Sequence, residues 1–116
     1  MEDWKSAMWS FVVNDLGINE KKLRWRRHTD TERSHYSSDT YDLDYEFPFG
    51  WKELWGVAYR GDYDLTQHMK FSGKDLRYTD PHTGEKYIPH VIEPAVGMNR
   101  LLFMVLDNAY HEEEGR

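Results

Sequence analysis

The 116-residue chain contains no cysteine, which excludes a disulfide framework and any thiolate metal site. No run approaches the ~20 apolar residues that a membrane-spanning helix needs, and Met1-Glu2-Asp3 opens acidic rather than as a basic, apolar leader. Positive charge is also scarce. Fifteen Lys and Arg stand against 21 Asp and Glu, a formal net charge of −6. A dedicated nucleic-acid module carries a basic face, so any contact with RNA has to come from a local patch. No Gly-x-Ser-x-Gly, P-loop or Gly-x-Gly-x-x-Gly element occurs, and the histidines form no pair at helical spacing, which leaves little support for zinc. These absences lead to the expectation of a soluble, cytoplasmic protein without a tightly bound cofactor.

What is present argues for an ordered core. Aromatic residues make up 16% of the chain, too many for a disordered segment despite a mean hydropathy of −0.89. The length suits one domain, enough to bury about two thirds of the extended surface. Trp4, Ala7, Met8, Phe11, Val12 and Leu16 recur at three- and four-residue steps, predicting a helix from Glu2 to Leu16 stopped by Gly17. Leu23 to His28 reads as a short basic strand, and Thr29 to Asp39 as a polar segment with a helical turn at His35 and Tyr36. Thr40 to Phe47 is the clearest strand. Tyr41, Leu43, Tyr45 and Phe47 share one face, with Asp42, Asp44 and Glu46 on the other. Pro48-Phe49-Gly50 then turns into a second strand, Trp51 to Tyr59, most simply antiparallel to the first. A helix follows from Tyr63 to Phe71 behind Asp62, ended by Ser72-Gly73. Asp80-Pro81-His82-Thr83-Gly84 signals a hairpin. Tyr87 to Glu93 reads as an apolar central strand, and Met98, Leu101, Leu102, Val105 and Ala109 as a helix reaching about Glu112, with Glu112-Glu113-Glu114 as its solvated end. The sum is an α+β layer with an antiparallel sheet flanked by helices.

Three constellations carry possible chemistry. Glu93 and Arg100 flank a strand-to-helix turn through Gly97. They are either unremarkable helix-terminal charges or one wall of a site that holds a cation on one side and an anion on the other. Glu53 lies between Trp51 and Trp55, an exposed strand carboxylate or a ligand for a hard cation. Strict alternation puts Glu53 and Arg60 on opposite faces, so a shared site requires either an early strand end or a bulge. Leu23-Arg24-Trp25-Arg26-Arg27-His28 is either an ordinary strand or an RNA patch.

The blocks resemble glycyl-tRNA synthetases, members of the class II aminoacyl-tRNA synthetases. Gly50-Trp51-Lys52-Glu53-Leu54-Trp55-Gly56-Val57-Ala58-Tyr59-Arg60 is similar to their Gly-Trp-x-Glu-Leu-x-Gly-Ile-Ala-x-Arg segment. Glu93-Pro94-Ala95-Val96-Gly97 is similar to their Glu-Pro-Ser-x-Gly, with Arg100 at the arginine of the third signature motif. Leu23 to His28, Glu32 to Tyr36 and Asp62 to His68 extend the likeness over essentially the whole chain.

The resemblance implies roles. Glu53, Leu54 and Arg100 fall at ATP-binding positions, with Glu53 and Arg100 catalytic and Glu53 near the Mg2+ that accompanies ATP. Arg60, Glu93, Ala95 and Gly97 fall at the glycine pocket. One position departs: Ala95 stands where the family has a serine, which puts the strength of glycine recognition in doubt. The first and second signature motifs and the anticodon-binding domain have no counterpart, so residues 1–116 are expected to form the C-terminal half of a catalytic domain. The function implied is part of a glycine–tRNA ligase, which uses ATP, glycine and tRNA(Gly), with the isolated chain expected to be inactive. The alternative is a non-catalytic, synthetase-like paralogue that binds a nucleotide or a partner protein. Unpaired sheet edges raise the expectation of a homodimer or other self-association.

Overall fold

Alternating side chains across three neighbouring segments build the sheet, and helical stripes cover one of its faces. The computed structural model describes residues 1–113 and 115. In order they form α1 (Glu2–Ser10), a π-helical turn (Phe11–Asp15), β1 (Leu23–Arg27), β2 (Asp39–Phe47), β3 (Gly50–Gly61), α2 (Tyr63–Ser72), a small hairpin of β4 (Tyr78–Thr79) and β5 (Lys86–Tyr87), β6 (Val91–Val96) and α3 (Met98–Ala109). The main sheet is antiparallel throughout, in the order β1-β2-β3-β6. This is the α+β arrangement that the sequence predicts.

One sheet face makes the core. Leu43, Tyr45 and Phe47 of β2 pack with Leu54 of β3 against Val12 from the first helical segment, Ile18 just after it and Met104 from α3. The Tyr45 hydroxyl crosses the core to donate 2.6 Å to Asp107 Oδ2 on α3. Glycine terminates helices where the sequence places it. Gly73, at φ +72, closes α2 by donating to the Met69 carbonyl, and Gly17, at φ +70, follows the first helical segment.

Several boundaries differ from expectation. The first helix stays α only to Ser10, then widens so that the Leu16 N–H bonds the Phe11 carbonyl at 3.0 Å. No helix forms at His35 and Tyr36, where the chain only turns. The single helical turn lies just before them, where the Arg33 N–H bonds the Thr29 carbonyl at 3.0 Å and Glu32 reaches back to accept from the Thr29 N–H, as in a capping box. Tyr87 belongs to the small hairpin, and Pro89, lacking an N–H for a ladder, separates it from β6. In this chain β6 is an edge strand rather than a central one. Helix α3 ends at Ala109, short of the expected Glu112; Glu112 and Glu113 lie in the following tail, and Glu114 is outside the described residues.

Leu54 is 2% exposed and packed on all sides by this core. Leu54→Ala is expected to cost about 2–5 kcal/mol through lost transfer energy and a residual cavity. The check is urea denaturation, where the midpoint should fall while the slope stays the same.

Candidate functional site

Register decides which side chains meet on the open face. Between β2 and β3, Leu43 pairs with Trp55 and Asp44 with Glu53, so Leu54 is an extra residue with no partner of its own. In such a bulge two successive residues face the same way. Leu54 and Trp55 accordingly both reach the core, and Glu53 swings to the opposite face, beside Asp44 and Asp42. The strand does not stop before Arg60 but runs on to Gly61. The bulge therefore re-aims Glu53, not Arg60, and both end on one face.

Across that face the floor is tiled by small residues and carboxylates. Asp42 lies opposite Gly56, Thr40 opposite Ala58, Glu93 opposite Ala58, and Ala95 opposite Gly56. A Cβ on Gly56 would stand 3.0 Å from Glu53 Oε1, so glycine lets that carboxylate fold across β3. Above this floor is a cleft of about 160 Å³ bordered by His28, Tyr36, Asp42, Glu53, Glu93 and Ala95. That is space for roughly five waters, enough for a molecule of a few heavy atoms and too little for a nucleotide. A larger hollow of about 640 Å³ is lined by the consecutive tail residues Tyr110 to Glu113 and gathers none of these groups.

The acidic face of β2 is not solvated as alternation suggests. Asp42 is 2% and Asp44 3% exposed. Arg26 Nη2 donates to Asp42 Oδ2 at 2.7 Å, His28 Nε2 lies 2.8 Å from the same oxygen, and Arg24 Nε reaches Asp44 Oδ2 at 3.3 Å. Arg27 pairs with Asp39 at 2.9 Å. The basic run of β1 is thus engaged in neutralising β2 rather than displayed as an RNA patch. The carboxylates Asp42 and Asp44 are the buried members, whereas Arg26 and Arg24 keep 40% and 48% of their side-chain surface exposed, so losing an arginine strands a buried charge while losing a carboxylate leaves the arginine solvated.

Arg60 sits at a second register irregularity, between Tyr59 and Gly61. Its Nε and Nη2 donate to Asp64 at 2.7 and 2.6 Å, Nη1 donates to Glu93 Oε2, and its guanidinium carbon lies 4.0 Å from the Tyr36 ring centre. The hydrogen bonds that Arg60 donates to Asp64, then to Glu93, push its pKa up, and the same bonds hold the Asp64 carboxyl below its usual range. On the other side of the turn, Gly97 precedes α3 and Arg100 occupies its first turn. Arg100 Nη1 donates 2.6 Å to the Glu53 carbonyl. Leu54 contributes its main chain here, its carbonyl accepting from the Gly97 N–H at 3.4 Å, while its side chain is buried.

Glu53 is the strained member of the set. Burial raises its carboxyl pKa, and Asp42 adds repulsion that Arg100 offsets only in part. Among the described residues, no three His, Cys, Asp or Glu are grouped to hold a metal ion, and no helix is long and apolar enough to cross a membrane. Asp42, His28, Tyr36 and Asp64 were not singled out in the sequence as site residues. His28, Tyr36 and Asp64 do lie in the blocks Leu23 to His28, Glu32 to Tyr36 and Asp62 to His68 that carry the family likeness, and the four-residue spacing of Arg60 and Asp64 is a further hint.

No protein-family model matches the chain. A glycine–tRNA ligase from Clostridium acetobutylicum is 55% identical over 111 residues, 96% of this chain and 24% of that protein. Those of Caldanaerobacter subterraneus subsp. tengcongensis and Geobacillus thermodenitrificans are 54% and 50% identical over the same length and shares. Over this segment the chain's relatives are glycine–tRNA ligases. It spans about a quarter of the length of the curated relatives that it matches. The likeness covers both halves of the cleft floor, since β3 and β6 both fall inside a match that takes in 96% of the chain.

The raised Glu53 pKa has a testable sign. A carboxyl with a folded pKa above its ordinary value of 4.5 favours the folded state below that value, and this contribution is lost as pH rises through the folded pKa. Glu53→Gln is therefore expected to melt at a higher temperature than the parent at pH 7. Calorimetry across pH should show the difference vanishing below about pH 4.

Proposed function

We propose that this chain is the part of a glycine–tRNA ligase that carries the amino-acid side of the active site, in the C-terminal half of the catalytic domain. The observation that carries the reading is the pairing of Arg60 with Glu93 beside a cleft floored by Gly56, Ala58 and Ala95. Free glycine is a zwitterion with almost no bulk. Its ammonium suits Glu93, and its carboxylate suits the fork of Arg60. Two charges that satisfy each other in the free site are then both satisfied by the ligand. The 50–55% identity to ligases that bear the glycine name supports the same choice.

ATP belongs outside the cleft, over the first turn of α3, because the cleft is too small for it. There Arg100 meets the phosphates, and Glu53 faces the Mg2+ that arrives with the nucleotide. One glycine carboxylate oxygen attacks the α-phosphorus and pyrophosphate leaves. The terminal ribose hydroxyl of tRNA(Gly) then attacks the carbonyl carbon, and AMP leaves. Arg60 and Glu93 orient the amino acid for the first step, and Arg100 offsets charge that grows at phosphorus. On this reading the expected location is the cytoplasm. The unpaired edge of β6 and the exposed stripe Met98, Leu102 and Leu106 support association with further protein surface, another copy included.

Two outcomes are expected when the segment replaces the matching quarter of the C. acetobutylicum ligase. The chimera supports glycine-dependent pyrophosphate exchange, and Arg100→Ala lowers kcat/KM by about 100-fold, the size of one lost charge-stabilising donor. A chimera that folds and binds tRNA but never activates glycine would favour the non-catalytic reading. The 116-residue chain by itself is expected to show no exchange.

Ala95 supplies a second test. A hydroxyl there would add one hydrogen bond to the ligand, worth about 0.5–1.5 kcal/mol. Ala95→Ser in the chimera is expected to lower the KM for glycine by about 2- to 10-fold, with the KM for ATP unchanged.

A further inference from the structure

Arg60 is held in a way that binding a substrate does not require. A guanidinium carries five N–H donors on two edges, a side-on edge made by Nε and Nη2 and an end-on edge made by Nη1 and Nη2. Asp64 takes the side-on edge with both oxygens, at 2.7 and 2.6 Å. Tyr36 lies against the plane at 4.0 Å. With one edge and one face engaged, the guanidinium cannot swing or roll. What remains is the end-on edge, where Nη1 already touches Glu93.

The backbone is arranged to make this hold. Gly61, at φ +60, reverses the chain directly after Arg60, and α2 starts two residues later with Asp64 in its first turn. That conformation, which other residues rarely adopt, brings a carboxylate four positions ahead back onto the arginine. Arg60 and Asp64 keep 20% and 23% of their side-chain surface exposed. The pair is partly buried and bidentate, an arrangement that adds a fixed direction as well as energy.

We propose that Asp64 is a positioning residue for Arg60, fixing the guanidinium so that its end-on edge faces Glu93 and the cleft. The inference rests on the glycine-site reading only for the identity of the ligand. The fixing itself is a property of this chain. Asp64 touches no ligand, and its loss acts through Arg60. Without it the guanidinium stays charged but samples several directions, so a small carboxylate meets it less often in the right pose.

The test is nitrogen-15 NMR on the 116-residue chain, following the Arg60 Nε–H signal and its exchange with water, with glycine as the titrant. The parent is expected to show slow exchange. Asp64→Asn should exchange at least ~10-fold faster and bind glycine at least ~5-fold more weakly, with backbone amide signals outside α2 unmoved. Asp64→Glu is the second variant, since it keeps the charge in the first turn of α2 but shifts the carboxylate by one methylene. If Asp64 only stabilises the helix, Asp64→Glu exchanges as the parent does, and that result overturns the proposal. Unchanged exchange in a folded Asp64→Asn overturns it equally. Slow exchange in the parent, faster exchange in both variants and no glycine-dependent shift in any of them would support the positioning role while refuting glycine as the ligand.

Discussion

The doubling of Leu54 and Trp55 against a single Leu43 is the constraint on which both faces of the sheet depend. On the core side it places two large side chains where regular alternation allows one, and Leu54 becomes fully buried. On the open side it turns Glu53 toward Asp42 and Asp44, a location no isolated carboxylate would choose. The core gain works against the electrostatic cost: full burial of a leucine side chain contributes about 1.5–3 kcal/mol, and the solvent that Glu53 keeps eases its charge.

The same logic explains the basic strand. A chain of net charge −6 that buries Asp42 and Asp44 needs local cations, and β1 supplies Arg24 and Arg26 in register with them, at Asp44 and Asp42 respectively. His28 adds a second partner to Asp42. The consequence is functional as well as structural. With Asp42 satisfied from the β1 side, the charges left to act in the cleft are Glu53, Glu93 and the edge of Arg60. The protein neutralises what it must bury, and at the cleft it sets Arg60 and Glu93 against each other, a pairing open to exchange.

Much of this was legible from residue pattern and some was not, for identifiable reasons. Alternation located β2 and β3, three- and four-residue steps located α3, and Gly73 marked the end of α2, because each depends on residues near in sequence. The bulge was not locatable, since a single extra residue leaves the apolar pattern readable in two registers. The Arg26–Asp42–His28 cluster depends on pairing across 14 to 16 residues, and the basic run read equally well as a surface. The edge position of β6 was missed because an apolar run signals burial, not which neighbours provide it. Arg60 and Glu93 were linked in advance only by family likeness; nothing in their separation of 33 residues implies that they touch.

How far this wall can choose its ligand follows from charge and size. A cation alone would leave the end-on edge of Arg60 without a partner, and an anion alone would leave Glu93 unpaired, so the pair favours a zwitterion over either. Size discriminates less. The cleft has room for several waters, more than glycine fills, and one extra methylene in a pocket changes binding by only about 1–3 kcal/mol. The small floor of Gly56, Ala58 and Ala95 admits glycine without rejecting alanine. On the proposed reading, rejection of larger amino acids therefore requires groups that close over the cleft from beyond these residues. An arginine aimed in one fixed direction is what such a closing surface needs, because a ligand held in a single pose directs its α-carbon hydrogens, and any side chain in their place, at one spot.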